Sequence, residues 1–211
     1  MVLKTKAVCD QRPSACIQHP VTIPSEAGND LALRDGTRVH IRPIRPEDDH
    51  VLVEAFDHMS PQTVYQRFFA ALPELSAGMA WHLSHVNYTS RMALVAETAD
   101  SNAPQLMAVA RYERVPRTTA TDDPEVAELG LVVVDEWQGR GLGRILIRQI
   151  LAVAALHGIT RFTADSLADN RRMLHILATE AHVCQSKTTG GVTTLLLSST
   201  PEPPNERGHE A

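Results

Sequence analysis

The sequence predicts a mixed α/β fold, in which a largely antiparallel sheet of seven strands carries helices on both faces. Seven short segments are rich in apolar and β-branched residues, and turn residues separate several of them. Apolar residues also recur at helical spacing, both before and between these segments. The chain has 211 residues, of which 43% are hydrophobic, and this is enough for one sizeable core.

The front of the folded unit combines one strand with three helices. Residues 38–44 alternate between polar and apolar side chains, as a strand does. A proline followed by acidic residues predicts the start of a helix over 46–59. Ser60 suits the cap of a second helix over 61–69, and residues 76–86 have the pattern of a third.

The rest of the chain supplies six strands and two helices. Residues 92–97, 105–115 and 126–134 predict an antiparallel meander. Residues 141–157 repeat apolar side chains at helical spacing and end before Gly158, a preferred residue after a helix. The remaining elements are a strand at 161–166, a helix at 170–181 and a hairpin with strands at 183–188 and 192–197.

Composition and charge limit the domain organisation and the partners. Residues 1–31 and 199–211 lack either structural period and predict disordered tails, which leaves one domain over 32–198. The net charge is −5 and no long basic segment occurs, so neither nucleic acid nor a membrane is an expected partner. No signal peptide or membrane span is expected. The three cysteines lack metal-ligand spacing and predict free thiols, so we expect a cytoplasmic protein.

A glycine-rich turn joins a buried strand to a helix in residues 128–144, ELGLVVVDEWQGRGLGR. Glycine lets the backbone approach a ligand closely, and the unpaired amides of a first helical turn attract phosphate groups. We therefore expect a pyrophosphate site here, with Arg140 and Arg144 adding positive charge at its rim. The alternative is a strand-to-helix turn that binds nothing.

Two other phosphate-binding motifs fit this turn less well. A Walker loop requires Lys and then Ser or Thr after the last glycine, but Arg144 and Ile145 occupy those positions. A dinucleotide fingerprint shares Gly139 and Gly141, with Asp165 at about the distance of a ribose contact. However, Arg144 occupies its third glycine position and the preceding strands are predicted to be antiparallel. Both nucleotide hydrolysis and dinucleotide binding are therefore disfavoured.

The turn and the later segment ADSLADNRRML together resemble the GNAT superfamily of acyl-CoA N-acyltransferases over residues 34–198. Residues 41–69 and the turn are most similar in pattern to bacterial protein lysine acetyltransferases. The resemblance implies a sheet splayed between the strands at 126–134 and 161–166, where coenzyme A enters. The cofactor-binding residues that it implies are Leu131, Val132, Val133, Gln138, Gly139, Arg140, Gly141, Leu142, Gly143, Arg144 and Asn170.

The resemblance also implies which part of the cofactor each of these residues binds. The backbone at 131–133 pairs with the pantetheine arm, and the amides at 138–143 bind the pyrophosphate. Asn170 matches the asparagine of the family that contacts the cofactor arm. An ordinary helix N-cap is an equally good interpretation of Asn170.

Glu128 is a carboxylate within an apolar run, where a buried charge requires a partner or a functional reason. An alkylammonium acceptor has a pKa of about 10.4 and must lose a proton before it attacks a thioester. Glu128 matches the family position that often acts as this base, so the resemblance implies a catalytic role. The alternative is a structural ion pair with Arg111 or Arg114 on the neighbouring strand.

The sequence departs from the family at the general acid. Many members carry a tyrosine in the helix after Asn170, but Leu177 stands at about that position. A thiol has a pKa of about 8.5, so the thiolate can leave without an acid. His82 and His85 have helical spacing but no third ligand nearby, so no metal is expected. Cys184 is expected to be a buried hydrophobe rather than an acylated nucleophile.

The sequence therefore predicts an N-acetyltransferase that moves an acetyl group from acetyl-CoA to a primary amine by direct attack in a ternary complex. A backbone N–H at a bulge of the cofactor strand is expected to stabilise the oxyanion. The acceptor is either a lysine on another protein or a small amine such as an antibiotic. A non-catalytic acyl-CoA-sensing module is the alternative from a different class. Either a monomer or a homodimer is compatible with the sequence.

Overall fold

The computed structural model describes residues 28–99, 103–115 and 126–200, which form one eight-stranded sheet and five α-helices. The strands are β1 (Asn29–Ala32), β2 (Arg38–Pro43), β3 (Arg91–Thr98), β4 (Leu106–Arg114), β5 (Val126–Val133), β6 (Arg161–Leu167), β7 (His182–Thr189) and β8 (Val192–Ser198). The helices are α1 (Asp49–Asp57), α2 (Pro61–Phe68), α3 (Ala77–Ser84), α4 (Leu142–Leu156) and α5 (Arg171–Glu180). Short 3-10 helices, Pro46–Asp48 and Asp135–Trp137, precede α1 and follow β5.

The predicted mixed α/β fold is confirmed, apart from the number of strands. The sheet has eight strands rather than seven, because β1 pairs antiparallel with β2 at the sheet edge. β1 has only four residues, too few for an alternating pattern to stand out in the sequence. It begins at Asn29, within the predicted tail 1–31. Residues 1–27 and 201–211, which hold most of the two predicted tails, lie outside the described residues.

The sheet separates into two halves between β5 and β6. The strand order is β1-β2-β3-β4-β5-β6-β8-β7, and only β5 and β6 are parallel neighbours, with α4 as their crossover. Their pairing is short and ends at Glu128 opposite Thr163. Beyond that point β5 stays with β4 as far as Val133, whereas β6 stays with β8 as far as Leu167. The splay implied by the resemblance is therefore present.

Helices cover both faces of the sheet. α4 packs on the face that carries Leu131, because a Cβ on Gly143 would lie 3.2 Å from Leu131 Cδ2. α2 lies on the opposite face, where the Arg67 side chain contacts Gly130, since neighbouring positions of a strand face opposite ways. The buried stripe of α4 fills the core with Leu142, Leu146, Ile147, Ile150, Leu151 and Ala154.

A buried cluster of charges fixes the start of the helical front. Arg42 of β2 donates hydrogen bonds to Asp48 (2.7 and 2.9 Å) and to Glu97 of β3 (2.8 and 3.0 Å). Asp48 also accepts a hydrogen bond from the backbone N–H of Arg45 (2.7 Å). α1 begins at the residue after Asp48. The hydrogen bonds that the buried Arg42 requires therefore fix the position of α1 on the sheet.

Candidate active site

A cleft of about 1420 Å³ opens where β5 and β6 separate. β5 forms its floor, and α2, α3 and the N-terminal ends of α4 and α5 contribute to its walls. Every residue that the sequence assigned to the site lines this cleft, with the exception of Arg140. The structure therefore brings the glycine-rich turn, Asn170 and Glu128 to one cavity.

The free edge of β5 is straight. Its pairing with β4 runs without a register shift from Ala127 opposite Arg114 to Val133 opposite Ala108. The bulge predicted in the cofactor strand is therefore absent from this pairing, and the splay arises because β6 follows β8 away from β5. On the cleft side the half-buried backbone at 131–133 has no neighbouring strand, so an extended ligand can pair with it.

The turn between β5 and α4 directs backbone N–H groups toward the cleft. Gly139 and Gly141 have φ values of 80° and 89°, a conformation that favours glycine. Gly141 immediately precedes α4, and the first amides of a helix have no intrahelical acceptor. A Cβ at either glycine would meet no other atom within 4 Å, so the space beside the turn is open. Backbone amides at the positive end of a 15-residue helix have the geometry of an anion-binding site.

Asp135 anchors this turn to α2. It accepts hydrogen bonds from the backbone N–H of Ser60 (2.9 Å), from Ser60 Oγ (2.7 Å) and from Thr63 Oγ1 (2.9 Å). Burial raises the pKa of Asp135, but these hydrogen bonds outweigh it and the net pKa is lowered. No local motif marks Asp135 in the sequence, because its hydrogen-bond partners lie more than 70 residues away in the chain.

Gln138 acts through its side chain rather than its amide. Its backbone N–H donates to Asp135 O (3.2 Å), so the free amides begin at Gly139 rather than at Gln138 as predicted. Its Nε2 donates to Val133 O (3.0 Å), and its Oε1 accepts from Arg172 Nη1 (3.1 Å). Gln138 therefore ties the turn to β5 and to α5.

Acidic side chains hold both arginines that were predicted at the rim of the pyrophosphate site. Arg140 Nη1 donates to Asp35 Oδ2 (3.0 Å), and its guanidinium lies 4.8 Å from the centroid of the Trp137 ring. Arg144 lines the cleft, but its Nε donates to Glu180 (2.7 Å), whose side chain is only 4% exposed. Part of the positive charge that these two arginines add at the rim is therefore balanced by acidic side chains, and their contact with a pyrophosphate stays a prediction.

Two arginines without an assigned role lie beside the turn, at the start of α5. Arg171 and Arg172 begin α5, are exposed and line the cleft. No acidic side chain in the described part of the chain forms an ion pair with either. A helix that opens with two arginines is unusual, because its positive end favours acidic residues, and this signal was available in the sequence.

Asn170 is an N-cap whose amide nitrogen remains unused by the described residues. Its Oδ1 accepts a hydrogen bond from the backbone N–H of Met173 (3.1 Å), which makes it the N-cap of α5. No described residue accepts a hydrogen bond from its Nδ2, and the residue lines the cleft. The cap uses the oxygen, so the amide nitrogen stays available to a ligand.

Glu128 is exposed and lines the cleft, contrary to the expectation of a buried charge. It lies opposite Glu113 in the pairing with β4, on the strand face that also carries Arg111. Arg114 is paired with Ala127 and projects from the other face. Glu128 forms no ion pair with any described residue, so the structural alternative is not realised. Its carboxylate is accessible to a ligand in the cleft.

The cleft offers no clear general acid. Leu177 is fully buried, and neither a tyrosine nor a cysteine is among the described residues that line the cleft. His82 lines it, but its Nε2 accepts a hydrogen bond from Arg91 Nη2 (2.9 Å). Burial, together with the charge of Arg91, lowers the pKa of His82. His175 is exposed on the wall of the cleft.

Neither a cluster of metal ligands nor a helix able to cross a membrane occurs in the ranges 28–99, 103–115 and 126–200. No group of three His, Cys, Asp or Glu side chains there is arranged to hold a metal ion. No helix in these ranges is both long enough and apolar enough to cross a membrane. Cys184 is a half-buried free thiol that does not line the cleft.

Proteins of similar sequence are acetyltransferases. Residues 54–178 match the profile of the Acetyltransferase (GNAT) family. An acetyltransferase of Pseudomonas aeruginosa is 29% identical over 142 residues, which cover 67% of this chain and 73% of that protein. Acetyltransferase Pat of Mycolicibacterium smegmatis is 28% identical over 147 residues, which cover 70% of this chain but only 42% of Pat.

Solved structures share the same fold. The GNAT domain of PAT from S. lividans aligns with a TM-score of 0.72 and 32% identity, over 84% of this chain and 99% of that domain. The protein yncA of Salmonella typhimurium, solved with acetyl-CoA, aligns with a TM-score of 0.57 and 15% identity, over 81% of this chain and 99% of that one. With the splayed sheet and the glycine-rich turn, these matches show that the chain belongs to the GNAT acetyltransferase family, whose members are acyl-CoA N-acyltransferases.

Proposed function

We propose that this chain moves an acetyl group from acetyl-CoA to a primary amine by direct attack in a ternary complex. The observation that carries the proposal is one continuous cleft, with the glycine-rich turn at one end and the exposed carboxylate of Glu128 further back along the same strand. A cofactor bound at the turn and extended along β5 presents its thioester near Glu128. No covalent enzyme intermediate is needed.

The residues present fit coenzyme A. The free amides from Gly139 to Arg144 suit the pyrophosphate, and Arg171 and Arg172 supply further positive charge. The unpaired edge of β5 at 131–133 suits the amide groups of the pantetheine arm, and Asn170, whose Oδ1 alone is used by the cap, lines the same cleft. A bound acetyl-CoA in the related fold of yncA supports this choice of acyl donor.

Glu128 would act as the base. It accepts a proton from the acceptor ammonium, directly or through water, and the neutral amine attacks the thioester carbonyl. Attack forms the C–N bond and a tetrahedral oxyanion, and the C–S bond breaks as the carbonyl re-forms. The thiolate leaves without an enzyme acid because its conjugate acid has a pKa of about 8.5, and the nitrogen gives up its second proton to the thiolate or to water. A backbone N–H on the free edge of β5 would stabilise the oxyanion.

We assign the acceptor to the lysine side chains of other proteins. Glu128 is exposed on β5 and has no ion-pair partner among the described residues, so its carboxylate favours the approach of an ammonium group. The resemblance to protein lysine acetyltransferases, and the similarity to Pat and PAT, support the same class of acceptor. A small amine is the competing acceptor.

Mass spectrometry tests this choice. A cell lysate is incubated with the enzyme and isotope-labelled acetyl-CoA, while thiol release is measured in parallel on a panel of small amines. We expect labelled acetyl-lysine that disappears with Glu128→Gln. Turnover of one small amine without any labelled protein would overturn the proposal that the acceptor is a protein lysine, but the chain would still be an acetyltransferase. Binding of acetyl-CoA without thiol release in either assay would indicate a sensing module.

A further inference from the structure

Two arginines from different elements converge on Gly130 of the cofactor strand. A Cβ at residue 130 would lie 3.0 Å from Nη2 of Arg67 and 3.5 Å from Cγ of Arg111. Arg67 belongs to α2, and Arg111 lies directly opposite Gly130 on β4. The absence of a side chain at residue 130 is therefore what lets the Arg67 guanidinium approach the strand.

These two guanidinium groups have few partners. Arg67 forms no hydrogen bond or ion pair with a described residue, and its guanidinium lies 5.4 Å from the centroid of the Phe68 ring. Arg111 donates one hydrogen bond to the backbone oxygen of Leu83 (2.6 Å). Burial lowers the pKa of both arginines, and the charge of Arg67 lowers that of Arg111 further.

The acidic groups nearby do not neutralise the pair. Glu128 raises the pKa of both arginines through its charge but forms an ion pair with neither. Glu113 is already paired with Arg91, whose Nε lies 3.4 Å from Glu113 Oε2. Like charges held together in a partly buried site are costly unless an anion joins them.

The space beside the pair is small. Arg67 and Arg111 line both the cleft and an adjoining cavity of about 40 Å³. Their neighbours in this cavity are apolar, and they include Val132 of the cofactor strand and Val109 of β4. A charged group here is poorly hydrated, so a forked guanidinium contact would be stronger than at an exposed surface.

We propose that Arg67 and Arg111 form a carboxylate subsite at the acyl end of the cleft. A carboxylate suits the site because it is small and planar and matches the guanidinium fork, whereas no phosphate of the proposed cofactor lies at this end. Two sources supply such a group: the distal carboxylate of a dicarboxylic acyl thioester, or a carboxylate on the acceptor. The inference rests on the proposed function, which brings the thioester near Glu128, two residues from Gly130 on β5.

Binding of matched acyl donors tests the first source. Succinyl-CoA and butyryl-CoA have acyl chains of equal length, and only the former ends in a carboxylate. If the donor supplies the carboxylate, calorimetry on the full chain finds succinyl-CoA bound about tenfold or more tightly than butyryl-CoA. Arg67→Gln removes this preference and leaves the affinity for acetyl-CoA unchanged. Arg34→Gln, which replaces an exposed arginine outside the cleft, is the matched control and keeps it.

Free carboxylates test the second source. Succinate is titrated into the protein saturated with coenzyme A. If the acceptor supplies the carboxylate, succinate binds this complex, binding is lost with Arg67→Gln, and succinyl-CoA shows no advantage. The thermal stability of Arg67→Gln is a further readout, because removal of an unpaired guanidinium should not lower it, whereas removal of a structural contact would.

The outcomes separate the subsite from the proposed function. A preference that depends on Arg67 in either experiment supports the subsite and identifies its source. Equal binding of succinyl-CoA and butyryl-CoA, together with no Arg67-dependent binding of succinate, overturns it while acetyl-CoA still binds. Loss of acetyl-CoA binding in the wild-type protein would instead refute the proposed function.

Discussion

The two ends of the cleft are built in different ways. At the end that we propose for the cofactor (the cofactor end), the contiguous segment 135–144 supplies backbone amides, and its side chains hold the turn in place. At the end that we propose for the acyl group and the acceptor (the acceptor end), Arg67, Arg111 and Glu128 come from α2, β4 and β5, and strand register brings the latter two to one face. A site made of backbone is encoded locally, whereas a site made of side chains depends on tertiary structure.

The charges at the two ends are also arranged in opposite ways. Arg140 and Arg144, next to the phosphate motif, are paired with Asp35 and Glu180. Arg67 belongs to no sequence motif, and it has no acidic partner in the described part of the chain. An arginine within a phosphate motif is therefore not by itself evidence of a phosphate contact.

Gly141→Val breaks the cofactor end and has the largest expected effect. A valine side chain would enter the open space beside the turn, and a φ of 89° is strained for a β-branched residue. We expect calorimetry to find no binding of acetyl-CoA to the folded variant.

The control for this variant lies at the other end of α4. Gly158 also has a positive φ (74°), and a Cβ at this position would meet no other atom within 4 Å. Gly158→Val thus introduces similar strain outside the cleft and should keep the affinity for acetyl-CoA. Unchanged binding to Gly141→Val would remove the turn from the cofactor site.

Glu128→Gln breaks the acceptor end without touching the cofactor end. Loss of a positioned base should lower kcat by about a hundredfold or more, with unchanged affinity for acetyl-CoA. The rate should partly recover at high pH, because the acceptor amine then loses its proton without a base. Glu113→Gln, directly opposite on β4, is the comparison in steady-state kinetics. A larger loss with Glu113→Gln would move the role of the base to that residue.

Asp135→Ala tests whether the side chains of the turn position the cofactor site. The variant loses the hydrogen bonds to Ser60 and Thr63, which should lower the free energy of unfolding by about 1–3 kcal/mol and weaken acetyl-CoA binding several-fold. Thermal unfolding and calorimetry measure the two effects. Asp57→Ala, which replaces an exposed residue at the end of α1, should change neither. A loss of stability without a loss of affinity would separate the turn from the site.

The pH dependence of stability tests the ion pairs that Glu180 forms with Arg144 and Arg148. Burial raises its pKa, but hydrogen bonds from Arg144 and Arg148 outweigh this and lower it below 4.5. A carboxyl group with a lowered folded pKa stabilises the protein at neutral pH, and this stability is lost as pH falls through that pKa. Denaturant unfolding should find Glu180→Gln less stable at pH 7, with a difference that shrinks in acid. A difference independent of pH would contradict the ion pairs.

The sequence predicted best what is local. The glycine-rich turn, the helix behind it and the N-caps Ser60 and Asn170 each depend on a few consecutive residues, and all of these elements are present. β1 was not predicted, because four residues are too few to show the alternation of polar and apolar side chains that marks a strand. The exposure of Glu128 was not predicted, because an apolar run suggests burial on both faces, and the sequence of β5 alone does not show which parts of its faces the helices leave uncovered.

The position of bound acetyl-CoA tests the division of the cleft most directly. In a crystal structure of the complex, we expect the pyrophosphate on the amides from Gly139 to Arg144 and the pantetheine arm along 131–133. The thioester carbonyl should then lie beside Gly130, with Glu128 on its acceptor side. A pyrophosphate bound elsewhere, or a thioester that points away from Glu128, would contradict the account.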